Sequence, residues 1–232
     1  MDTRIVLTGG GFSSDPDSPL DDYVLGLAGG PEAHVCFLPT ASGDADDYIE
    51  RFHTALDRRC RTSVLRLFDR DDTDPRSALL TSDVIYVGGG NTANMLAVWR
   101  VHGVDRLLAE AYRAGVLLCG ISAGMLCWFE SCLTDSFGPV RPLADGLGLL
   151  PGSACPHYDS EPQRRPRYHQ AITSGALPSG WALDDGAAAL LVNGELAEAV
   201  AVRRDAHLYA VGLGRDGRSV VETPVPTRLI VD

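Results

Sequence analysis

The segment Val116-Leu117-Leu118-Cys119-Gly120-Ile121-Ser122-Ala123-Gly124 carries an apolar run directly into a serine that is flanked by glycines. The run from Val116 to Gly120 predicts a strand, because a strand buried on both faces of a parallel sheet is apolar throughout. Residues 123–129 predict a helix immediately after the serine. A buried strand, a tight turn and a helix in this order indicate an α/β protein with a parallel sheet.

Similar apolar runs recur along the N-terminal half of the chain and alternate with helical patterns. Further predicted strands are Arg4 to Thr8, Val35 to Pro39, Ser63 to Phe68 and Val84 to Val87. Apolar residues at helical spacing predict helices that pack on the sheet, at Asp46 to Leu56 and at Val104 to Ala114.

After Pro178 the pattern changes to brief strands separated by turns, at Ala187 to Val192, Ala199 to Val202, Leu208 to Val211 and Arg228 to Val231. These strands predict a small antiparallel C-terminal extension. The expected fold is therefore a three-layer, doubly wound α/β sandwich with a mostly parallel sheet, formed by one domain over residues 1–232. Ligands of such sheets bind at the carboxyl ends of the strands.

The composition is that of an acidic globular protein. A formal net charge of -11 repels a phosphate backbone and no basic stripe offsets it, so nucleic acid is not an expected partner. No apolar run approaches membrane-spanning length and no signal region precedes the first strand, so we expect a soluble, cytoplasmic protein without membrane contact. The six cysteines lie mostly in apolar runs and form no C-x-x-C pair, so we expect reduced thiols.

The segment from Gly120 to Gly124 has the G-x-S-x-G pattern of a nucleophile elbow, with Ser122 as the nucleophile. In such an elbow the strand-to-helix turn exposes the hydroxyl, and the helix N-terminus favours developing negative charge. The Ala123 amide is then an oxyanion donor. The alternative is a chance pattern in a chain that holds 25 glycines, with Ser122 serving only as a helix N-cap. The predicted strand and helix around the serine favour the elbow.

A serine nucleophile needs a base within hydrogen-bond reach and an acid that orients the base. Of the six histidines, His157 is the best placed, because Cys155-Pro156-His157-Tyr158-Asp159 is a turn-prone stretch that presents it from a loop. A plain surface histidine is the other interpretation. Asp185, before a glycine and an apolar strand, is the first choice for the acid, and Asp135 is the second. Either aspartate could instead be a turn former.

Two further segments could bind a substrate. Gly88-Gly89-Gly90-Asn91-Thr92 follows a predicted strand and could supply a second oxyanion donor or cradle a carboxylate with its amides. Arginines in the segment after His157 could receive a substrate carboxylate in bidentate fashion, and these are Arg164, Arg165 and Arg167. The alternatives are a tight turn for the first segment and, for the second, a solvated loop that neutralises Asp159 and Glu161.

Taken together, Gly88-Gly89-Gly90-Asn91-Thr92, Gly120-Ile121-Ser122-Ala123-Gly124 and Cys155-Pro156-His157-Tyr158 resemble peptidase family S51, the family of peptidase E (alpha-aspartyl dipeptidase) and of cyanophycinase. The resemblance runs from Gly9-Gly10-Gly11-Phe12 to Leu183-Asp184-Asp185-Gly186. It implies a fold like that of class I glutamine amidotransferases, with serine in place of the nucleophilic cysteine.

The resemblance also implies residue roles. Ser122 is the expected nucleophile and His157 the base, with Asp185 as the acid or Asp135 in its place. Gly89 or Gly90, with Ala123, would form the oxyanion hole. Substrate would be held by residues of the two binding segments, namely Asn91, Thr92, Arg164 and Arg165.

The implied activity is hydrolysis of short peptides, above all dipeptides with an N-terminal aspartate, through an acyl-enzyme. No cofactor is expected, and the histidines lack the spacing that holds a metal. One alternative is a cyanophycinase-like hydrolase of aspartyl-arginine polymer, and another is a non-catalytic sensor of a small ligand on the same scaffold. The expected partner is a small peptide, and a homodimer stays open beside the monomer.

Overall fold

Two sheets organise the chain in the computed structural model, which describes residues 1–231. The first half alternates strands with helices, in the order β1 (Arg4–Thr8), α1 (Pro19–Leu27), β2 (His34–Leu38), α2 (Asp46–Leu56), β3 (Arg61–Val64), α3 (Pro75–Leu80), β4 (Val84–Val87), α4 (Thr92–His102), α5 (Val104–Ala114), β5 (Leu117–Ile121) and α6 (Ala123–Leu126). The second half is mostly strands, in the order β6 (Phe129–Thr134), β7 (Arg141–Leu143), β8 (Leu150–Cys155), α7 (Arg164–Thr173), β9 (Gly180–Leu183), β10 (Ala187–Val192), β11 (Glu195–Ala201), β12 (Leu208–Leu213), β13 (Val220–Pro224) and β14 (Arg228–Leu229).

The larger sheet has eight strands in the order β14-β11-β10-β1-β5-β4-β2-β3. Its five strands from β1 to β3 in this order are parallel, whereas β10 is antiparallel to β1, and β11 to β10. The smaller sheet has six strands in the order β13-β12-β9-β8-β6-β7, of which β6, β8 and β9 are parallel. The protein is therefore a mixed α/β structure with antiparallel strands in its C-terminal part, as predicted.

Alternating side chains of the larger sheet enter two separate cores. On β1, Ile5 and Leu7 face the core beneath α3, α4 and α5, whereas Val6 faces the core beneath α1 and α2. Because helices cover both faces, the central parallel strands β4 and β5 are buried at every position and consist of apolar residues and one glycine, which is why they could be recognised in the sequence. None of the helices described in residues 1–231 is long and apolar enough to cross a membrane.

Most predicted elements of the larger sheet and its helices are confirmed, and several have the predicted bounds. The prediction for β3 was wrong at its end, because the strand stops at Val64 rather than Phe68. The amides of Leu67 and Phe68 donate to the carboxylate of Asp44 instead of to a neighbouring strand, at 2.8 Å for Phe68. The helix predicted over residues 123–129 was too long, since α6 ends at Leu126.

The smaller sheet was not predicted as a separate sheet. Its central strand β8 contains Pro151 and Gly152, and its other residues show neither strict alternation nor a long apolar run. Both residues are uncommon inside strands, so the segment lacks the signals on which strand prediction depends.

One carboxyl group is buried in the core beneath α1. Asp21 is 1% exposed, and Tyr86 donates a hydrogen bond of 2.8 Å to its Oδ1. Within the described residues its Oδ2 has no hydrogen-bond partner. Burial raises the pKa of Asp21 from an ordinary value of 3.8 to about 7, although the Tyr86 hydrogen bond and the charge of Arg59 act in the opposite direction.

This raised pKa makes stability depend on pH. Between about pH 4 and pH 7 the folded state holds a proton on Asp21 that the unfolded state has lost, so the free energy of unfolding falls as pH rises. Asp21→Asn removes this titration. We therefore expect the free energy of unfolding of Asp21→Asn, minus that of the wild type, to be about 2–3 kcal/mol larger at pH 8 than at pH 5. Urea unfolding at the two pH values measures this difference.

Asp22→Asn is the control for that measurement, since Asp22 lies on the same helix but is 69% exposed in its side chain. Equal pH slopes for the wild type and Asp21→Asn would contradict the prediction.

Candidate active site

Ser122 occupies the turn between β5 and α6 with a backbone conformation that only the surrounding structure can impose. Its φ is 52° and its ψ is -109°. A non-glycine residue in such a region costs about 1–3 kcal/mol and persists only where its neighbours fix it. Its carbonyl oxygen accepts from the amides of Met125 and Leu126, at 2.9 and 3.0 Å, so the first turn of α6 holds the strained residue in place.

The two glycines that flank Ser122 are required by close packing. A Cβ on Gly120 would lie 2.1 Å from the carbonyl oxygen of Gly124, and a Cβ on Gly124 would lie 2.2 Å from the carbonyl oxygen of Val87 on β4. Both contacts are with backbone atoms, which cannot move aside as a flexible side chain could. The G-x-S-x-G pattern therefore has a steric origin in the contact between the turn and β4.

Two parallel neighbours of the smaller sheet bring a base and an acid to this turn. Strands β8 and β9 pair in register, with Cys155 opposite Ala182, and both run toward the Ser122 turn. His157 follows β8 by two residues and Asp185 follows β9 by two residues. The ladder between the strands therefore places the two side chains at the same edge of the sheet.

The three side chains form a continuous series of hydrogen bonds. His157 Nε2 lies 2.9 Å from Ser122 Oγ, and His157 Nδ1 lies 2.7 Å from Asp185 Oδ1. An ionised carboxylate can only accept, so Nδ1 carries the proton that it donates to Asp185. Nε2 of the neutral ring is then free to accept from the Ser122 hydroxyl.

Asp185 is held in its ionised form. Partial burial on its own would raise the pKa of this carboxyl, but hydrogen bonds from His157 and Ser160 and the positive charge of Arg203 hold the pKa below its ordinary value. Its side chain is 40% exposed, and that of His157 is 24% exposed. At neutral pH the arrangement is a serine, a histidine and a carboxylate at the protein surface.

The backbone amides near Ser122 differ in their availability. Gly89 lies against Ser122, but its amide donates to the hydroxyl of Tyr48 at 3.1 Å. For the amides of Gly90 and Ala123, residues 1–231 show no such acceptor. Of the three oxyanion donors expected from the sequence, Gly90 and Ala123 therefore have no acceptor among the described residues, and Gly89 is engaged with Tyr48.

Arg164 does not fit the substrate-binding role expected from the sequence. It is 3% exposed, its Nε donates to Glu161 at 2.7 Å and its Nη1 donates to the carbonyl oxygen of Leu133 at 3.1 Å. Its Nη2 lies 3.7 Å from Asp135. The expectation was wrong because the guanidinium is buried between two loops, which it fastens together.

Asp135 likewise does not occupy the acid position. It approaches Arg164, as described above, and its side chain is 55% exposed. The Nδ1 of His157 is already bonded to Asp185. Asp185, and not Asp135, therefore contacts the histidine.

The side chains of Asn91 and Thr92 form hydrogen bonds within the protein. Asn91 caps α4 by accepting from the Asn94 amide at 2.9 Å, and its amide group donates to the Ser136 carbonyl oxygen at 2.9 Å. Thr92 is 1% exposed and lies 3.4 Å from the hydroxyl of Thr134. The prediction was that the backbone amides of this segment cradle a substrate carboxylate, and for Asn91 it is corrected, because its backbone amide donates to the carbonyl oxygen of Ala41 at 2.8 Å. The side chains of Asn91 and Thr92 join α4 to Ser136 and to the end of β6.

Arg165 remains open to solvent, with a side chain that is 44% exposed. Its guanidinium lies over the rings of Tyr158 and Tyr209, at 4.6 and 5.2 Å from their centroids, and 3.5 Å from Glu222. Stacking on aromatic faces holds an arginine without using up all its donors.

Sequence reasoning missed three residues beside the site, which are Tyr48, Asp159 and Arg203. Tyr48 was interpreted only as an apolar residue of α2, and Asp159 only as a loop charge. The position of Asp159, two residues after the predicted base, could have indicated that it lies beside the site. Arg203 offered no such signal, since nothing in the sequence distinguishes it from the adjacent Arg204. Among residues 1–231 no group of three or more histidine, cysteine or acidic residues could hold a metal ion.

A mixed α/β fold with a serine-histidine-carboxylate series at a strand-to-helix turn is typical of hydrolases. The model of Peptidase family S51 matches residues 5–200. The chain belongs to this family and is a peptidase.

Related proteins agree with this assignment. The chain is 46% identical over 232 residues to the uncharacterized peptidase YgaJ of Bacillus subtilis, which covers 99% of this chain and 100% of YgaJ. It is 32% identical over 133 residues to peptidase E of Streptomyces coelicolor, over 56% of this chain and 54% of that protein.

Two solved structures share the fold. A peptidase E protein from Listeria monocytogenes has a TM-score of 0.63 at 22% identity, over 85% of this chain and 98% of that one. A peptidase from an acI-B1 Actinobacterium has a TM-score of 0.69 at 16% identity, over 98% of this chain and 95% of that one.

The close packing at the Ser122 turn predicts the effect of adding one methyl group. Gly120→Ala should lower the free energy of unfolding by about 3 kcal/mol, since its Cβ meets backbone and forces strand β5 away from the turn. Chemical denaturation measures the loss.

Gly26→Ala is the matched control. Gly26 lies in α1, where a Cβ would meet nothing within 4 Å, so alanine should stabilise the protein by about 0.5–1 kcal/mol. A Gly120→Ala variant as stable as the wild type would show that the turn is not sterically constrained.

Proposed function

We propose that the protein is a serine-type peptidase that hydrolyses dipeptides with an N-terminal aspartate, with Ser122, His157 and Asp185 as its catalytic triad. The observation that carries the proposal is the unbroken series of hydrogen bonds from Ser122 through His157 to Asp185, which starts at a strained and partly exposed turn. Strain that is maintained at a solvent-accessible serine is characteristic of a nucleophile elbow.

In the proposed reaction Ser122 Oγ attacks the peptide carbonyl carbon while His157 Nε2 takes its proton. Asp185 holds the ring in the required tautomer and stabilises the imidazolium that forms. The amides of Ala123 and Gly90 donate to the oxyanion, aided by the N-terminal end of the helical turn after Ser122. His157 then protonates the leaving amine, and water attacks the acyl-enzyme with His157 again acting as base.

The preference for aspartate is supported by the family, in which peptidase E is the enzyme that the sequence resembles. Arg165 is the proposed partner of the aspartate side chain, because Arg164 is buried and fully engaged. Arg165 contacts Glu222 at 3.5 Å, a long contact that a bidentate substrate carboxylate would replace.

Replacement of the nucleophile tests the triad. Ser122→Ala should reduce the hydrolysis of Asp-Leu by at least about 10⁴-fold, as removal of a triad member does in other serine peptidases. Release of leucine is the assay, and an unchanged circular dichroism spectrum shows that the variant is folded. Turnover at the wild-type rate would rule out Ser122 as the nucleophile.

Substrate preference requires a separate measurement. For Arg165→Met we expect KM for Asp-Leu to rise about tenfold or more, with little change in KM for Asn-Leu, which lacks the carboxylate. Arg167→Met is the control, since Arg167 is exposed and its side chain bonds to Gln170 on the same helix.

Equal changes for both peptides would exclude Arg165 as the aspartate-binding residue. Faster cleavage of aspartyl-arginine polymer than of any dipeptide would favour a cyanophycinase-like hydrolase. Failure of a serine-directed phosphonate to label the protein, together with tight binding of a dipeptide, would favour a sensor.

A further inference from the structure

The loop that carries His157 is bonded directly to the residue that orients it. Asp159 lies two residues after His157, and its Oδ1 accepts from the backbone amide of Asp185 at 2.9 Å. A carboxylate that receives a backbone N–H fixes the position of that peptide unit, not only of a side chain. The base and the acid are therefore linked by a path that does not pass through the His157 ring.

Arg203, between β11 and β12, completes this link from the other side. Its Nη2 donates to the carbonyl oxygen of Asp185 at 2.8 Å and also to Oδ2 of Asp159. Both backbone polar groups of Asp185 are thus bound by the Asp159–Arg203 ion pair, one by each partner. The second nitrogen, Nη1, pairs with Asp205 at 2.8 Å.

The segment that bears Arg203 is fixed at a second point. Asp184, buried next to Asp185, donates its amide to the carbonyl oxygen of His207 at 3.0 Å and accepts from the His207 amide at 3.0 Å. Arg203 is therefore not a free surface side chain, because its own loop is attached to the turn that it supports.

We propose that Asp159 and Arg203 form a positioning pair, which holds the backbone of Asp185 so that its carboxylate stays aligned with His157 Nδ1. The proposal rests on the proposed function, since it requires that His157 and Asp185 act in catalysis. Residues that orient a functional group from behind commonly affect rates by 10–100-fold, and a displacement of about 1 Å can cost 10²-fold.

Asp159 and Arg203 carry opposite charges beside the site, so removing one or the other should have opposite effects on the formation of the imidazolium. The groups that face Asp185 are His157, Ser160, Asp159 and Arg203. Loss of Arg203 leaves the Asp159 charge uncompensated and favours the imidazolium, which is inactive as a base. Loss of the Asp159 charge leaves that of Arg203 and disfavours the imidazolium.

The experiment compares Asp159→Asn and Arg203→Met with the wild type in the full-length protein. We expect kcat for Asp-Leu to fall about 10–100-fold in each variant, with KM changed less than about threefold. The acid limb of the pH–rate profile should move by about half a unit, upward in Arg203→Met and downward in Asp159→Asn. A merely structural role would not move the two limbs in opposite directions.

Labelling of Ser122 by a fluorophosphonate gives a readout that needs no knowledge of the substrate, because its rate follows activation of the nucleophile. It should slow in both variants by the same factor as kcat. Arg203→Lys should recover part of the rate, since lysine restores the charge but not the planar fork. Arg100→Met is the control, because it removes the surface ion pair of Arg100 with Asp145 and should label at the wild-type rate.

Wild-type labelling rates and unshifted limbs in both variants would overturn the proposal, as would shifts in the same direction. Thermal unfolding of each variant distinguishes a folded, slow enzyme from an unfolded one. Ser122→Ala separates the two hypotheses. If Ser122→Ala is still labelled or active, the proposed function fails, whereas if only the pair variants are unaffected, the positioning role alone fails.

Discussion

The strained turn at Ser122 is the constraint on which the rest of the site depends. Strand β5 lies between β1 and β4 in the middle of the larger sheet, so its end cannot shift sideways. Contact of Gly124 with the carbonyl oxygen of Val87 brings α6 down onto β4, and the chain can make this contact only by reversing sharply at Ser122. The hydroxyl is exposed at the carboxyl end of β5 because close packing on both sides fixes the backbone around it.

The base and the acid reach this turn because two sheets meet there. His157 and Asp185 leave adjacent strands of the smaller sheet, and the chain then crosses into the larger sheet at Gly186. The Gly186 amide donates to the carbonyl oxygen of Gly9 at 2.7 Å, and the Gly9 amide donates to the carbonyl oxygen of Ala187 at 2.8 Å. The acid is therefore fixed to β1, the neighbour of the strand that carries Ser122. Distances within the series of hydrogen bonds depend on how the two sheets are joined.

The parts of this arrangement that sequence reasoning found are those with local causes. The Ser122 turn is recognisable because the strand, the glycines and the helix that produce it are consecutive. His157 was chosen because it lies in a turn-prone stretch, and Asp185 because it precedes a glycine and an apolar strand. That Asp185 rather than Asp135 contacts the histidine depends on the pairing of β8 with β9, and nothing in β8 indicates a strand. Tertiary pairing therefore decided a choice that local pattern left open.

The adjacent residues Arg164 and Arg165 show the limit of interpretation from charge. Their residue type and position in sequence are nearly the same, yet one is 3% exposed and the other 44%. On a helix, neighbouring residues point about 100° apart, so at the first turn of α7 one side chain enters the protein and the next leaves it. A buried arginine needs several acceptors, and Glu161 and the Leu133 carbonyl oxygen provide them. In a chain of net charge -11, cations are the scarcer sign. An arginine that binds substrate must therefore be found by its lack of buried partners, which is a property of the fold and not of the residue.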